Sequence, residues 1–233
     1  MKKIIGSTIG FTGYLLQIFL KKSSIAKKLY SLASKYDNYN NHSLTAYGVM
    51  FFEEEKYNEA IVQFRKIKKK QEKSYMDRAA SMNIALSYWE LDSVINAIEE
   101  LEDLRARYDY LNADILTSLA YFYILKEEYD EAIDITKEVL KDEPEHAAAI
   151  DNIGQIYYRQ GELEIAEGYF LKALKYKDIV DSKYYLGLIY EKKGNRDKAE
   201  EYFRKAYDTK VSRFSTVSKD DLKEKFMEYN IAE

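Results

Sequence analysis

Residues 150–173 read IDNIGQIYYRQGELEIAEGYFLKA, and residues 183–206 read KYYLGLIYEKKGNRDKAEEYFRKA. Laid over one another, they place Gly154 on Gly187, Tyr157 on Tyr190, Gly161 on Gly194, Ala166 on Ala199, Phe170 on Phe203 and Ala173 on Ala206. A small residue and an aromatic three positions later share one face of a helix. An alanine and an apolar residue four positions later share one face of a second helix. Small residues mark where two helix axes come close, because a larger side chain would push the backbones apart. The glycine between the two halves ends the first helix in a left-handed conformation.

Working outward, the same pattern recurs at Ala60, Ala97 and Ala132, so that successive alanines are spaced 37, 35, 34 and 33 residues apart. Twelve residues before each stands Gly48, Ala85, Ala120, Gly154 or Gly187, followed three residues on by Phe51, Tyr88, Tyr123, Tyr157 or Tyr190. Four residues after each alanine come Phe64, Leu101, Thr136, Phe170 and Phe203. A period of this length is the mark of a repeat architecture, in which each unit buries its apolar face only against its neighbours. Pro144 follows a predicted second helix, where it can stop the helix without breaking it.

This pattern resembles the tetratricopeptide repeat family over residues 41–210, five repeats, with the fourth and fifth matching best. The family's tryptophan near the repeat start is replaced by Leu44, Ser81, Leu116, Ile150 and Lys183, and its later second-helix alanine by Ile67, Leu104 and Val139. The resemblance implies an all-α fold, a right-handed α-solenoid of helix pairs. Residues 211–233 are expected to cap it. Ser218 is read as a helix start with Asp220 and Asp221 in the first turn, and Leu222, Phe226, Met227, Tyr229 and Ile231 supply packing surface.

Residues 4–20 carry no charge and are flanked by Lys2-Lys3 and Lys21-Lys22. Within the segment 1–22 two readings stay open. As a membrane anchor, seventeen helical residues would span about 25 Å against a hydrocarbon core of about 30 Å. As a packed helix, the segment would be the first helix of an extra repeat. Ala26 precedes Ala60 by 34 residues, with Tyr30 and Ala33 at the expected offsets, which makes 23–40 a partial N-terminal repeat with its helix over 24–36. A cleaved signal peptide is disfavoured by the lysine pair that separates the apolar run from Ser24-Ile25-Ala26.

Composition narrows the chemistry. There is no cysteine and there are two histidines, His42 and His146, which excludes thiolate metal sites and leaves little for acid–base catalysis. No hydrolase, metalloprotease or phosphate-loop motif is present, so no enzyme, cofactor or metal is expected. The charge is uneven: net +8 over residues 1–78, −12 over 79–145 and zero over 146–233. The basic run Arg65–Lys70 falls at a helix end, where cations complement the dipole, and no stacking aromatics interleave with it, so nucleic acid is not expected. An anionic, cytoplasmic membrane surface beside the basic N-terminal region remains an alternative partner.

The expected function is a protein-interaction scaffold or adaptor, cytoplasmic, with tethering through residues 4–20 left open; the alternative is a helical regulator or assembly factor with no membrane association. In the family the first helices line the binding face. Carried over by position, the partner-binding residues are Phe52, Met82, Asn83, Leu86, Trp89, Tyr121, Ile124, Asn152, Tyr158, Tyr184, Tyr185 and Leu188, with Asp151, Gln155 and Arg159 at the same register. Exposed aromatics in a concavity are good anchors. A clamp for a terminal carboxylate is disfavoured, because Asp114, Ser118, Asp181 and Tyr185 stand where its Lys and Arg would be. The acidic middle surface favours a basic or apolar segment.

Overall fold

The computed structural model describes residues 2–21, 23–34, 40–69, 73–211 and 214–229. Among these, all regular structure is helical. Helices pair in order: α1 (Lys2–Leu20) with α2 (Ser23–Ala33), α3 (Asn41–Glu53) with α4 (Tyr57–Lys68), α5 (Tyr75–Glu90) with α6 (Val94–Arg107), α7 (Ala113–Leu125) with α8 (Tyr129–Asp142), α9 (Ala147–Arg159) with α10 (Leu163–Tyr176), and α11 (Val180–Lys192) with α12 (Arg196–Tyr207). A last helix, α13 (Lys219–Glu228), packs on α12. The chain divides into two compact units, Met1–Asp109 and Tyr110–Glu233, each a stack of three helix pairs in the manner of an α-solenoid.

One turn builds every pair. Lys21, Glu55, Asp92, Glu127, Gly161 and Gly194 all have positive φ, between 50° and 85°, and each lies five residues before the pair's alanine. In the last five pairs the following residue donates its N–H back to the aromatic's carbonyl, as in Lys56 to Phe51 (2.9 Å), Glu128 to Tyr123 (3.0 Å) and Asn195 to Tyr190 (2.9 Å). The left-handed residue itself donates to the carbonyl three back, as in Glu55 to Phe52 (3.0 Å) and Gly194 to Glu191 (2.9 Å). This double bond pattern satisfies the open carbonyls at the end of the first helix and turns the chain into the second.

The alanines are fully buried, and so are the residues four positions on. Sizes match across each pair. Where the first helix offers glycine, the second offers phenylalanine, and a Cβ on Gly48, Gly154 or Gly187 would lie 2.6, 2.8 or 2.5 Å from the ring of Phe64, Phe170 or Phe203. Where it offers Ala85 or Ala120, the residue at the same register is the smaller Leu101 or Thr136.

Residues 4–20 belong to this scheme. A Cβ on Gly13 would meet the Tyr30 ring at 3.0 Å, and one on Gly10 would meet Ser43 of α3 at 2.9 Å. The Tyr30 hydroxyl, at the position of Phe64, donates to Gln17 Oε1 at 2.8 Å. Among the described residues no helix is long and apolar enough to cross a membrane, so the transmembrane reading of 4–20 finds no support and α1 stands as the first helix of a sixth pair. Lys22 and the end of the helix expected over 24–36 lie outside the described residues.

Polar contacts tie the pairs. In the first unit the buried Asp77 carboxylate accepts from Arg107 Nη1 at 2.6 Å and from the Tyr108 hydroxyl at 2.9 Å, closing the pair that looked most irregular in sequence. The basic run at the end of α4 is drawn in: Lys68 pairs with Glu100 and Asp103 of α6, and Arg65 donates to the Tyr88 hydroxyl. Lys70 of that run lies outside the described residues. In the second unit Ser218 and Asp221 form a reciprocal capping box at the start of α13. Leu222 and Tyr229 are buried, with the Tyr229 ring 5.2 Å from Phe203, and Phe226 stacks on Tyr207. Met227, expected to pack, is exposed instead, because it falls on the opposite side of the helix; Ile231 lies outside the described residues.

Candidate functional site

Within each unit the first helices lie side by side: α1, α3 and α5 in one, α7, α9 and α11 in the other. In the first unit this face carries Phe52, Met82, Asn83 and Trp89, all half-buried. The Asn83 amide donates to the Ala79 carbonyl at 2.7 Å. The Phe52 ring meets Tyr57 edge-on at 5.1 Å. Leu86, expected to reach a ligand, is buried instead.

In the second unit four of the seven expected partner-binding residues are internal. Tyr121, Ile124, Asn152 and Tyr185 are buried. Tyr185 lies flat against Phe170 at 5.4 Å, and Asn152 donates to the Thr117 carbonyl of α7 at 3.0 Å. These four hold the first helices to one another and to the layer behind. Tyr158, Tyr184 and Leu188 stay half-buried: Tyr158 lies 4.8 Å from Tyr185 with Lys192 over its outer side, and Tyr184 meets Phe203 edge-on.

Ile124 packs with Ala132 and Ile156, whereas Tyr121 and Tyr185 are covered by a feature that helical periodicity cannot show. After α12 the chain does not leave the unit. A non-helical segment, 214–217, crosses back over the first helices. Phe214 meets Phe122 of α7 edge-on at 5.7 Å. The Thr216 N–H donates to Asp181 Oδ1 at 3.1 Å, and its hydroxyl lies 3.2 Å from both that oxygen and the Tyr185 hydroxyl. Val217 is buried with Val180, Ala206 and Leu222. The signal in sequence was only Phe214 and Val217 in a stretch otherwise polar and free of helix pattern.

Beneath this segment lie two buried carboxylates, Asp151 of α9 and Asp181 of α11. Asp151 accepts from the Ser182 hydroxyl and from Gln155 Nε2 at 2.8 Å. Burial and the neighbouring Asp181 charge push Asp151 up to about 7. Burial pushes Asp181 up as well, against the lowering bonds from the 215–216 stretch. Both residues stand at face positions in the sequence, yet nothing in their spacing marks them as a pair. They meet because α9 and α11 are adjacent.

The histidines serve the frame. His146 caps α9, its Nδ1 accepting from the Ala149 N–H at 3.3 Å, while His42 is exposed beside the Tyr14 ring. Among the described residues no group of three or more His, Asp or Glu is placed to hold a metal ion.

The family model of the tetratricopeptide repeat matches residues 82–147 and 152–210. The fold is similar to that of a tetratricopeptide repeat protein from Parabacteroides merdae, with a TM-score of 0.73 over 97% of this chain and 84% of that one at 16% identity. It is also similar to a thermophilic tetratricopeptide repeat protein of Thermus thermophilus (TM-score 0.63, 83% of this chain, 100% of that one, 20% identity). A third likeness is to MamA (TM-score 0.52, 68% and 91%, 24% identity). At these identities the likeness concerns the fold. Comparison with curated proteins gives no match.

Proposed function

The chain belongs to the tetratricopeptide repeat family, whose repeats are in general non-catalytic interaction modules, and from that premise we propose that it is an adaptor that holds a protein segment against its first helices. The observation that carries this reading is the segment 214–217. The first-helix face of the second unit already holds a stretch of non-helical chain by an aromatic contact, a backbone hydrogen bond to a carboxylate and a buried valine. A surface that binds its own chain in this way has the chemistry to bind another.

The first unit offers the freer face. Phe52, Met82 and Trp89 give partly exposed apolar area, and Asn83 a polar atom beside it. Aromatic and methionine side chains of this kind dominate binding energy when covered. The test is capture of an identified partner by the full chain and by the Met82→Ala/Trp89→Ala double variant. The variant is expected to lose capture by about tenfold or more, with helicity and melting nearly unchanged. Unchanged capture would refute the reading for this unit.

A second reading concerns α1, whose outer side is apolar. Ile4 and Phe19 are each 73% exposed, and Phe11, Ile18 and Leu20 are exposed as well, with Lys21 and Lys28 nearby. Such a side could lie on an anionic membrane surface at the cytoplasmic face without crossing it. Co-sedimentation with phosphatidylserine vesicles but not with phosphatidylcholine vesicles, reduced by Phe11→Ser/Phe19→Ser, would support it. Equal recovery with both vesicles, or with neither, would exclude it.

A further inference from the structure

Beside Phe214 lies a cavity of about 120 Å³, lined among others by Asp151, Gln155, Asp181 and Tyr121. That is several times the ~10–15 Å³ of such space that one water needs. The floor is rich in acceptors. Asp151 and Asp181 are each buried, and their bonds to Ser182, Gln155 and Thr216 do not bring any cation to them. Gln155 is 1% exposed, and while its Nε2 is committed to Asp151, its Oε1 has no hydrogen-bond partner among the described residues. A buried amide oxygen left without a donor costs about 1–3 kcal/mol, a cost that a donor entering the cavity would offset.

We infer that this cavity is a socket for a basic side chain, an arginine guanidinium or a lysine ammonium, carried by the segment that the second unit binds. The inference rests on the adaptor reading above and specifies its ligand. A guanidinium presents several N–H donors from one plane, which answers two carboxylates and one amide oxygen together. Its charge also relieves the repulsion between Asp151 and Asp181, both of which burial otherwise pushes toward the protonated form.

Lys177, Asp178 and Lys210 are exposed at the rim, and neither lysine pairs with Asp151 or Asp181. A basic side chain brings an apolar stem that can lie along Phe214, Ile179 and Val180 while only its head reaches the floor.

The test uses the full chain, isotope-labelled, titrated with N-acetyl-arginine amide and with the neutral isostere N-acetyl-citrulline amide. The arginine probe is expected to shift the Gln155 side-chain amide and the Ser182 and Thr216 backbone amides. The citrulline probe should bind about tenfold more weakly or worse. Asp151→Asn/Asp181→Asn should abolish the difference. The single variant Asp151→Asn keeps an acceptor for the Ser182 hydroxyl and removes one buried charge, so it serves if the double variant does not fold. Equal binding of both probes, shifts confined to other regions, or an unaltered preference in a folded variant would overturn the socket.

Selection of random decapeptides on the same chain separates the two levels. Peptides enriched in arginine or lysine that bind about tenfold more weakly to the folded Asn variants support it. Peptides bound with no basic enrichment overturn the socket and leave the adaptor reading standing. A chain that selects no peptide overturns both.

Discussion

At the scale of the residue, six left-handed turns decide where the helices end, yet only Gly161 and Gly194 announce themselves in the sequence. Lys21, Glu55, Asp92 and Glu127 take the same conformation against the steric preference of a side chain, the last three held by the bonds that follow. Glu127→Gly is therefore expected to stabilise the chain by about 0.5–1 kcal/mol, and Gly161→Ala to destabilise it by about 1 kcal/mol. Differential melting checks both, since about 1 kcal/mol moves the midpoint of a chain this size by about 2–4 °C. Asp151 makes a second residue-scale claim. In the folded chain it holds its proton up to about pH 7, whereas in the unfolded chain it releases it near pH ~3.9. The unfolded state thus binds fewer protons between those limits, and the group's contribution to stability falls as pH rises from about 4 to about 7. Asp181, Tyr121 and Tyr185 face it within the unit, with Lys177 and Lys210 at the rim. Asp151→Asn should gain stability relative to the parent chain at pH 8 compared with pH 5. Denaturant titrations showing the same difference at both values would refute the assignment.

At the scale of the element, the helix pair is the unit of packing, and its size match is testable. Gly187→Ala places a methyl 2.5 Å from the Phe203 ring and should cost about 1–3 kcal/mol. Adding Phe203→Leu should recover part of that, because Ala85 with Leu101 is the same arrangement already present in the chain. A double-mutant cycle showing simple additivity would contradict the match. The pairs at Ala132, Ala166 and Ala199 were legible in sequence because both halves obey one register. The first pair was legible only in its second helix, through Ala26, Tyr30 and Ala33, because its close-approach glycine, Gly13, stands thirteen residues before Ala26 where the others stand twelve before. An uncharged first helix also looks the same whether it packs on a neighbour or enters a membrane. The difference lies in Gly10 and Gly13, which meet Ser43 and Tyr30, a contact that periodicity alone does not register.

At the scale of the whole molecule, a stack of repeats shares stability between neighbours. Deleting residues 1–21 should strip α2 and α3 of the helix that covers Tyr30 and Ser43, and amides of those helices should lose exchange protection while those of α9–α12 keep theirs. Unchanged protection in α2 and α3 would show that α1 is not part of the stack. The candidate faces were half legible. Positions taken from the family register set Trp89, Met82 and Tyr158 on the first helices, where they are half-buried, but treated Tyr121 and Tyr185 as surface because nothing in a helical pattern says that 214–217 folds back over them, and Ile124 as surface although it packs with Ala132 and Ile156. The most direct measurement places a photoreactive phenylalanine at Trp89 on the first helices, and in parallel at Ile95 and Val62, which are 58% and 52% exposed on second helices. Irradiation of the full chain in its own cells should give adducts with an identified protein from position 89 and none from 95 or 62. Adducts of equal yield from the second-helix positions, or none from position 89, would contradict the claim that the first helices hold the partner.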